Sequence, residues 1–156
     1  MADFENLSYA TLQQALDYHV KRGNFAWTEN GEEQQQAALI KASEWIDGFY
    51  EFVGFKKEKD QLLQWPRTGA VDHDNFLREG IPTELIHATA WLASYATNGE
   101  IDEPAQRGGQ IQRVQAGSVQ IEWNKSAPAG TVFRHVNRML KKITTGGQNT
   151  VKLVRT

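Results

Sequence analysis

The sequence predicts a mainly α-helical fold, a small bundle of about four helices that carries a β-hairpin arm and an extended C-terminal tail. Three features of the 156-residue chain predict this fold. Apolar residues recur at helical spacing in four separate segments. A stretch after residue 110 alternates apolar and polar side chains, as strands do. The final residues are short, apolar and basic, and are predicted to be extended.

The first predicted helix follows Ser8 and Thr11, either of which can accept hydrogen bonds from the free amides of its first turn. We expect it to end at Gly23, because glycine favours helix termination. Its apolar face has the spacing i, i+3, i+4 and i+7 and consists of Leu12, Ala15, Leu16 and His19.

The second predicted helix has the clearest pattern. It begins at Asn30 or Gly31 and is expected to end at Gly54. The Glu32-Glu33 pair places negative charge where the helix dipole favours it. Its apolar stripe consists of Leu39, Ala42, Ile46, Phe49 and Val53, widened by Ala38, Trp45 and Phe52. Gly48, inside this pattern, either permits a close helix crossing or is simply tolerated.

Residues 55–80 have no sustained periodicity and are predicted to form a long loop. A loop of this length is usually functional or held down by hydrophobic side chains. The candidate anchors are Leu62, Leu63, Trp65, Val71 and Phe76. The segment Trp65-Pro66-Arg67 is assigned either as a loop anchor or to a subunit interface. Asp72 and Asp74 are assigned to a polar turn, because the glycine and the distant glutamate of a calcium loop are missing.

The third predicted helix opens at Ile81-Pro82 and closes at Asn98-Gly99. Its inner face consists of Leu85, Ala88, Thr89, Leu92 and Ala96, with Trp91 and Tyr95 at the flanks. Trp45 and Trp91 fit core stripes. Trp123, at the end of a predicted strand, is a candidate for an interface, as is Trp65 in its loop.

A predicted hairpin arm at about residues 110–123 has two strands, separated by Ala116-Gly117-Ser118. A fourth helix follows, with an apolar stripe of Phe133, Val136, Leu140 and Ile143. We therefore predict one helical domain over residues 1–145, which includes the arm, and an extended tail over residues 146–156.

The residue types argue against catalysis. The absence of cysteine excludes disulfides, thiolate metal sites and cysteine nucleophiles. None of the four histidines has a histidine or carboxylate partner at the i+4 spacing of a helical zinc site, and no nucleophile elbow, phosphate loop or dinucleotide motif occurs. We expect a non-enzymatic protein without cofactor or metal. We also expect a soluble protein made in the cytoplasm with no membrane partner, because no apolar run is long enough to span a bilayer and the acidic N-terminus is no secretory signal.

Charge is unevenly distributed along the chain. The net charge is −2, yet seven basic and no acidic residues follow Glu122. Two interpretations remain open. This region is either a solvated helix face with a basic terminus, or a basic element that faces another copy, a negatively charged partner or DNA. The candidate residues for the second interpretation are Arg134, Arg138, Lys141 and Lys142.

An ordered set of motifs covers nearly the whole chain, with Leu63-Gln64-Trp65-Pro66-Arg67 as the most specific. The set consists of Tyr9 to Arg22, Ala37 to Ala42 with Trp45-Ile46-Asp47, Gln61 to Arg67, Ile81-Pro82-x-x-Leu85, Arg113 to Ile121, and Val136-x-x-Met139-Leu140. These motifs resemble the tailed-phage head–tail connector proteins, also called adaptor or head completion proteins. The same family is labelled DnaT-like single-stranded DNA-binding.

The resemblance implies a structural protein of the virion neck. Such a protein forms a ring under the portal protein, commonly a dodecamer, and extends the DNA channel with non-specific contact to the DNA. It links the portal to a stopper or tail-terminator protein. The resemblance also implies that the C-terminal segment docks on the portal, which assigns docking to Val151, Lys152, Leu153, Val154 and Arg155. The alternative function is that of a small single-stranded-DNA-binding module.

Overall fold

The computed structural model describes residues 4–97, 101, 114–116, 119–121 and 133–145. The chain divides into two compact units. The larger unit contains the α-helices of the described residues, and the smaller unit, residues 102–132, contains one β-hairpin. The prediction of a mainly helical fold with a hairpin is confirmed. Within the described residues, no helix is both long enough and apolar enough to cross a bilayer.

The described secondary structure follows the predicted order of elements. The helices are α1 (Leu12–Val20), α2 (Glu32–Phe49), α3 (Thr83–Ala96) and α4 (Arg134–Leu140), with short 3-10 turns at Phe4–Asn6 and Phe25–Trp27. The strands are β1 (Phe55–Lys56), β2 (Arg67–Thr68), β3 (Val114–Ala116) and β4 (Val119–Ile121). In the smaller unit β3 and β4 pair antiparallel, with Val114 opposite Ile121.

The caps show why the first helices begin where they do. Thr11 caps α1 in a reciprocal capping box with Gln14, in which each side chain accepts a hydrogen bond from the other residue's backbone amide. The alternative cap, Ser8, is buried and bonds with Ala10 instead. Gly31 caps α2 without a side-chain bond, and the acidic first turn follows it as predicted.

Helix α3 lies at the centre of the larger unit and packs against α1, α2 and α4. Its predicted inner face is buried throughout, whereas Trp91 is half-buried and Tyr95 is exposed. The helix begins one residue after Pro82, which serves as its N-cap. Helix α4 packs on one side of α3, and its Val136 and Leu140 side chains are buried.

The predicted end of α2 at Gly54 is wrong, because the helix ends at Phe49. Tyr50 is already extended, and the next residues bond with the chain that follows α4: Phe52 forms a β-bridge with Thr144, and the Val53 amide donates to the Ile143 carbonyl at 3.0 Å. Backbone pairing with residues some ninety positions later thus replaces the hydrogen bonds that would have continued the helix.

The two glycines near the end of α2 have different roles. A Cβ on Gly54 would lie 2.7 Å from the Ala70 backbone, and the φ of Gly54 is +75°, so this glycine permits a close contact between chain segments. Among the residues that the structure describes, nothing lies within 4 Å of a Cβ built on Gly48. Gly48 is therefore tolerated in the helix, and it permits no close crossing by any described segment.

The segment after α2 is more ordered than the loop that we predict from the sequence. Strands β1 and β2 pair antiparallel, and Val71 forms a second bridge with Leu77. Of the five predicted anchors, Trp65 is buried and Leu63 is half-buried. The other three are exposed, and their assignment as anchors is wrong: Leu62, Val71 and Phe76.

Candidate nucleic-acid interface

One face of α4 carries only positive charge. Arg134, Arg138 and Lys141 follow one another at i, i+4 and i+7, and all three are exposed. Lys141 continues this face because its backbone is still helical. Within the described residues none of the three forms an ion pair or a side-chain hydrogen bond. We call these three residues the basic face of α4.

Lys142, the fourth basic residue in the predicted set, has a carboxylate partner. Its Nζ lies 2.5 Å from Oδ2 of Asp74, and its carbonyl accepts a hydrogen bond from the His73 amide at 3.2 Å. Hydrogen bonding to Asp74 raises the pKa of the Lys142 ammonium. The structure thus separates Lys142, which ties the end of α4 to a neighbouring turn, from the basic face.

Aromatic side chains from three helices meet beside this face. Trp91 on α3 contacts Tyr95, Phe133 and His135, with ring centroids 4.7, 5.9 and 4.8 Å away. Phe133 also lies 5.3 Å from Trp45. The complete set, which we call the aromatic cluster, is Trp45, Phe49, Trp91, Tyr95, Phe133 and His135.

The cluster extends from the core to the surface. Trp45 is buried, and it stacks on Phe49, which is 42% exposed, at 4.1 Å. Tyr95 is 48% exposed, and His135 is exposed on the flank of α4 next to Arg134. Because His135 adjoins Arg134 in the chain, exposed ring surface lies next to the basic face.

Helix α4 is held in place by both polar and apolar contacts. The Tyr50 hydroxyl bonds with the Asn137 side chain on the flank opposite His135. Burial raises the pKa of Tyr50 to about 12, so this phenol keeps its proton at neutral pH. Val136 and Leu140 fill the core beneath. The basic face is thus presented on a fixed element.

The loop segment Trp65-Pro66-Arg67 lies against the same core. Trp65 is 1% exposed and its ring meets Phe52 edge-on at 5.9 Å, while Pro66 follows it through a cis peptide bond. Arg67 donates to the carbonyls of Val53 at 2.8 Å and Gly54 at 2.6 Å. These contacts belong to loop anchoring within one chain, and the Trp65 ring offers no exposed surface to a neighbouring subunit.

A buried carboxylate reinforces the loop. Asp47 accepts hydrogen bonds from the Tyr9 hydroxyl and from the Gln64 amide. Burial raises the pKa values of both Tyr9 and Asp47, and burial also lowers the pKa of the nearby Arg67 guanidinium. Every polar group in this set bonds with the loop or with α2, which indicates a structural role.

Several predicted site residues lie outside the described residues. They are Trp123 and the docking segment Val151, Lys152, Leu153, Val154 and Arg155. Sequence reasoning identified the basic face but missed the aromatic cluster, because it treated Tyr95 only as the flank of a core stripe. The i, i+4 pairs Trp45/Phe49 and Trp91/Tyr95 are a signal that could have revealed the cluster.

A family profile described as "Putative DnaT-like ssDNA binding protein" matches residues 3–156 of the chain. No curated protein and no solved structure gives a significant match. The profile agrees with the DNA-binding label of the family that the sequence motifs resemble, while the adaptor role stays a prediction. Because the match covers nearly the whole chain, the protein belongs to this DnaT-like family.

Proposed function

We propose that the protein binds single-stranded DNA, without catalysis, through the basic face of α4 and the exposed edge of the aromatic cluster. The observation that carries this proposal is the position of three cations, without a partner among the described residues, beside partly exposed rings. Single-strand binders combine a positive surface for phosphates with aromatic side chains on which bases stack. The description of the family supports the same ligand.

Such binding is independent of sequence. Arginine and lysine side chains on a helix surface contact phosphates, which are the same for every base. Tyr95 and Phe49 offer ring faces or edges, and stacking accepts any base. With three phosphate contacts, log K should fall with log salt at a slope of about −2 for a single strand.

The charge contribution is tested by replacing all three residues of the basic face with Gln. Fluorescence anisotropy with a labelled oligothymidine, at several salt concentrations, measures the affinity and its salt dependence. We expect the affinity to fall and the slope to lose about two units. The matched control removes the same charge elsewhere, with Lys21→Gln, Lys57→Gln and Lys59→Gln, all exposed in the structure. Equal losses in both variants would reject the α4 site.

The stacking contribution is tested with Tyr95→Ser. Loss of one stacking partner lowers affinity by about 1–3 kcal/mol, or roughly 5- to 150-fold, and leaves the salt slope unchanged. Phe25→Ser is the control, because Phe25 is exposed on the 3-10 turn after α1, outside the aromatic cluster. Unchanged binding by Tyr95→Ser would remove the aromatic cluster from the interface.

A second candidate function is the head–tail adaptor, a non-enzymatic ring subunit of the virion under the portal. The exposed apolar side chains of residues 55–77 favour it, since Phe55 is 80% exposed and Leu62, Phe76 and Leu77 are also exposed. Ring subunits contact their neighbours through two different surfaces, and large apolar residues in solvent are typical of protein contacts. Electron microscopy and mass spectrometry of purified particles test this function. Absence of the chain from mature particles would reject it.

A further inference from the structure

We infer that Asn137 is a fourth DNA-binding residue beside the basic face, and that the Tyr50 hydroxyl orients its side-chain amide so that the NH₂ group donates to a phosphate of the bound strand. This inference rests on the proposed single-stranded-DNA function. It names a further binding residue, Asn137, and a positioning residue, Tyr50, for the same site.

Asn137 lies at the edge of the basic face. It follows Arg134 by three residues and precedes Lys141 by four, the two spacings that bring side chains together on a helix. At about 100° per residue, Asn137 is turned by about 60° from Arg134 and about 40° from Lys141, away from His135. Its side chain is half-buried, so it can contact both the core and a ligand on the helix surface.

The Tyr50 hydroxyl determines which end of this amide points outward. Tyr50 is buried, and its ring meets Trp45 edge-on at 6.3 Å. Because burial raises the pKa of the phenol to about 12, the hydroxyl keeps a proton, and a buried proton of this kind needs an acceptor. The hydroxyl donates to Oδ1 of Asn137. The amide oxygen is therefore held toward the core, and Nδ2 is left on the outer side.

The outward group matches the chemistry of a phosphate. Nδ2 of Asn137 carries two N–H donors, has no acceptor among the described residues, and is not one of their buried unpaired atoms. Phosphate oxygens accept such donors from Asn side chains. Paired recognition of adenine would also use the amide oxygen, which Tyr50 already engages on the core side. Asn137 thus offers a contact that any base sequence permits and that, being neutral, releases no counterion.

The experiment compares the full-length wild type with Asn137→Ala, Tyr50→Phe and the double variant. Anisotropy with labelled oligothymidine and oligodeoxyadenosine of equal length, at several salt concentrations, gives the affinities and salt slopes. Gln34→Ala is the matched control, because Gln34 is an exposed amide in the first turn of α2. It should bind as the wild type does.

For Asn137→Ala we expect a loss of about tenfold on both strands with an unchanged salt slope, the size of a lost hydrogen bond to a charged group. Tyr50→Phe should lose about twofold, because the amide is then free to adopt either orientation. The double variant should bind no more weakly than Asn137→Ala, since Tyr50 acts through Asn137.

Three results would overturn the inference. The first is binding by Asn137→Ala within twofold of the wild type. The second is a changed salt slope in this variant, which would mean that the Tyr50–Asn137 bond only holds α4 in place. The third is a loss confined to one of the two strands, which would indicate a base contact instead of a phosphate contact. Failure of the wild type to bind either strand would instead reject the proposed DNA-binding function.

Discussion

Replacement of Trp65 tests whether the loop after α2 is anchored in the core of one chain. The indole is 1% exposed and packs edge-on against Phe52. Trp65→Ala removes the largest side chain of this contact and leaves a cavity, which typically costs about 3–5 kcal/mol. For a chain of 156 residues that loss corresponds to a fall in Tm of about 10 °C or more.

Two further variants separate packing from other effects. Among the described residues the Trp65 Nε1 has no hydrogen-bond partner, so Trp65→Phe sacrifices only ring area and should cost about 1–2 kcal/mol. Leu62→Ala changes an exposed side chain in the same loop and should stay within about 0.5 kcal/mol of the wild type. Urea unfolding followed by circular dichroism measures all three. A Trp65→Ala protein within 1 kcal/mol of the wild type would refute core anchoring.

Three other predictions concern stability and assembly. Gly54→Ala should lower the free energy of unfolding by at least about 2 kcal/mol, because the new Cβ would clash with the Ala70 backbone and Gly54 has a positive φ. Gly48→Ala should raise the free energy of unfolding by about 0.5–1 kcal/mol in the same assay, because no described residue lies near its Cβ position. Burial lowers the pKa of His19 in the folded state, so the unfolded state binds a proton more readily as pH falls below about 6.5. The urea midpoint of unfolding should therefore be lower at pH 5 than at pH 7, and the difference should be smaller in His19→Gln. Under the adaptor function, deletion of residues 151–156 should leave Tm unchanged and abolish co-sedimentation with the portal; retained co-sedimentation would contradict the docking assignment.

The His19 prediction rests on the burial of its ring, and its hydrogen bonds define the neutral tautomer. Its Nε2 lies 2.8 Å from the Ala90 carbonyl and must donate, which leaves Nδ1 to accept from the Asn24 amide at 3.0 Å. The neutral ring satisfies both partners, whereas a proton on Nδ1 would oppose the Asn24 donor. Stacking on Trp27 at 4.7 Å further removes the ring from water.

Local sequence signals predict where helices begin and which face of a helix is buried. They do not predict where α2 ends, because that end depends on tertiary contacts. Thr11 and the apolar stripes act within one or two turns, so they predict where α1 begins and which face of α3 is buried. The end of α2 depends instead on Phe52 and Val53 pairing with residues that follow α4. No residue near position 50 signals that distant partner.

The candidate site shows the same division between local and distant signals. The excess of basic residues after Glu122 predicts the basic face of α4, because three of the four candidates share one side of a helix. Periodicity could not tell the buried Trp65 from the exposed Phe76, since both are large apolar residues in one aperiodic segment. Convergence of rings from α2, α3 and α4 likewise depends on packing, which a single sequence does not display.

The two candidate functions place opposite demands on the basic face of α4. A single-strand binder must hold phosphates against competing salt and stack bases on exposed rings, and three cations per protomer give a salt slope of about −2. An adaptor that surrounds a channel must let DNA slide, which favours weak contacts spread around a ring. The affinity of the free protein for single-stranded DNA therefore separates them. A binder loses affinity when the basic face is neutralised, whereas an adaptor outside its ring stays weak with or without these charges.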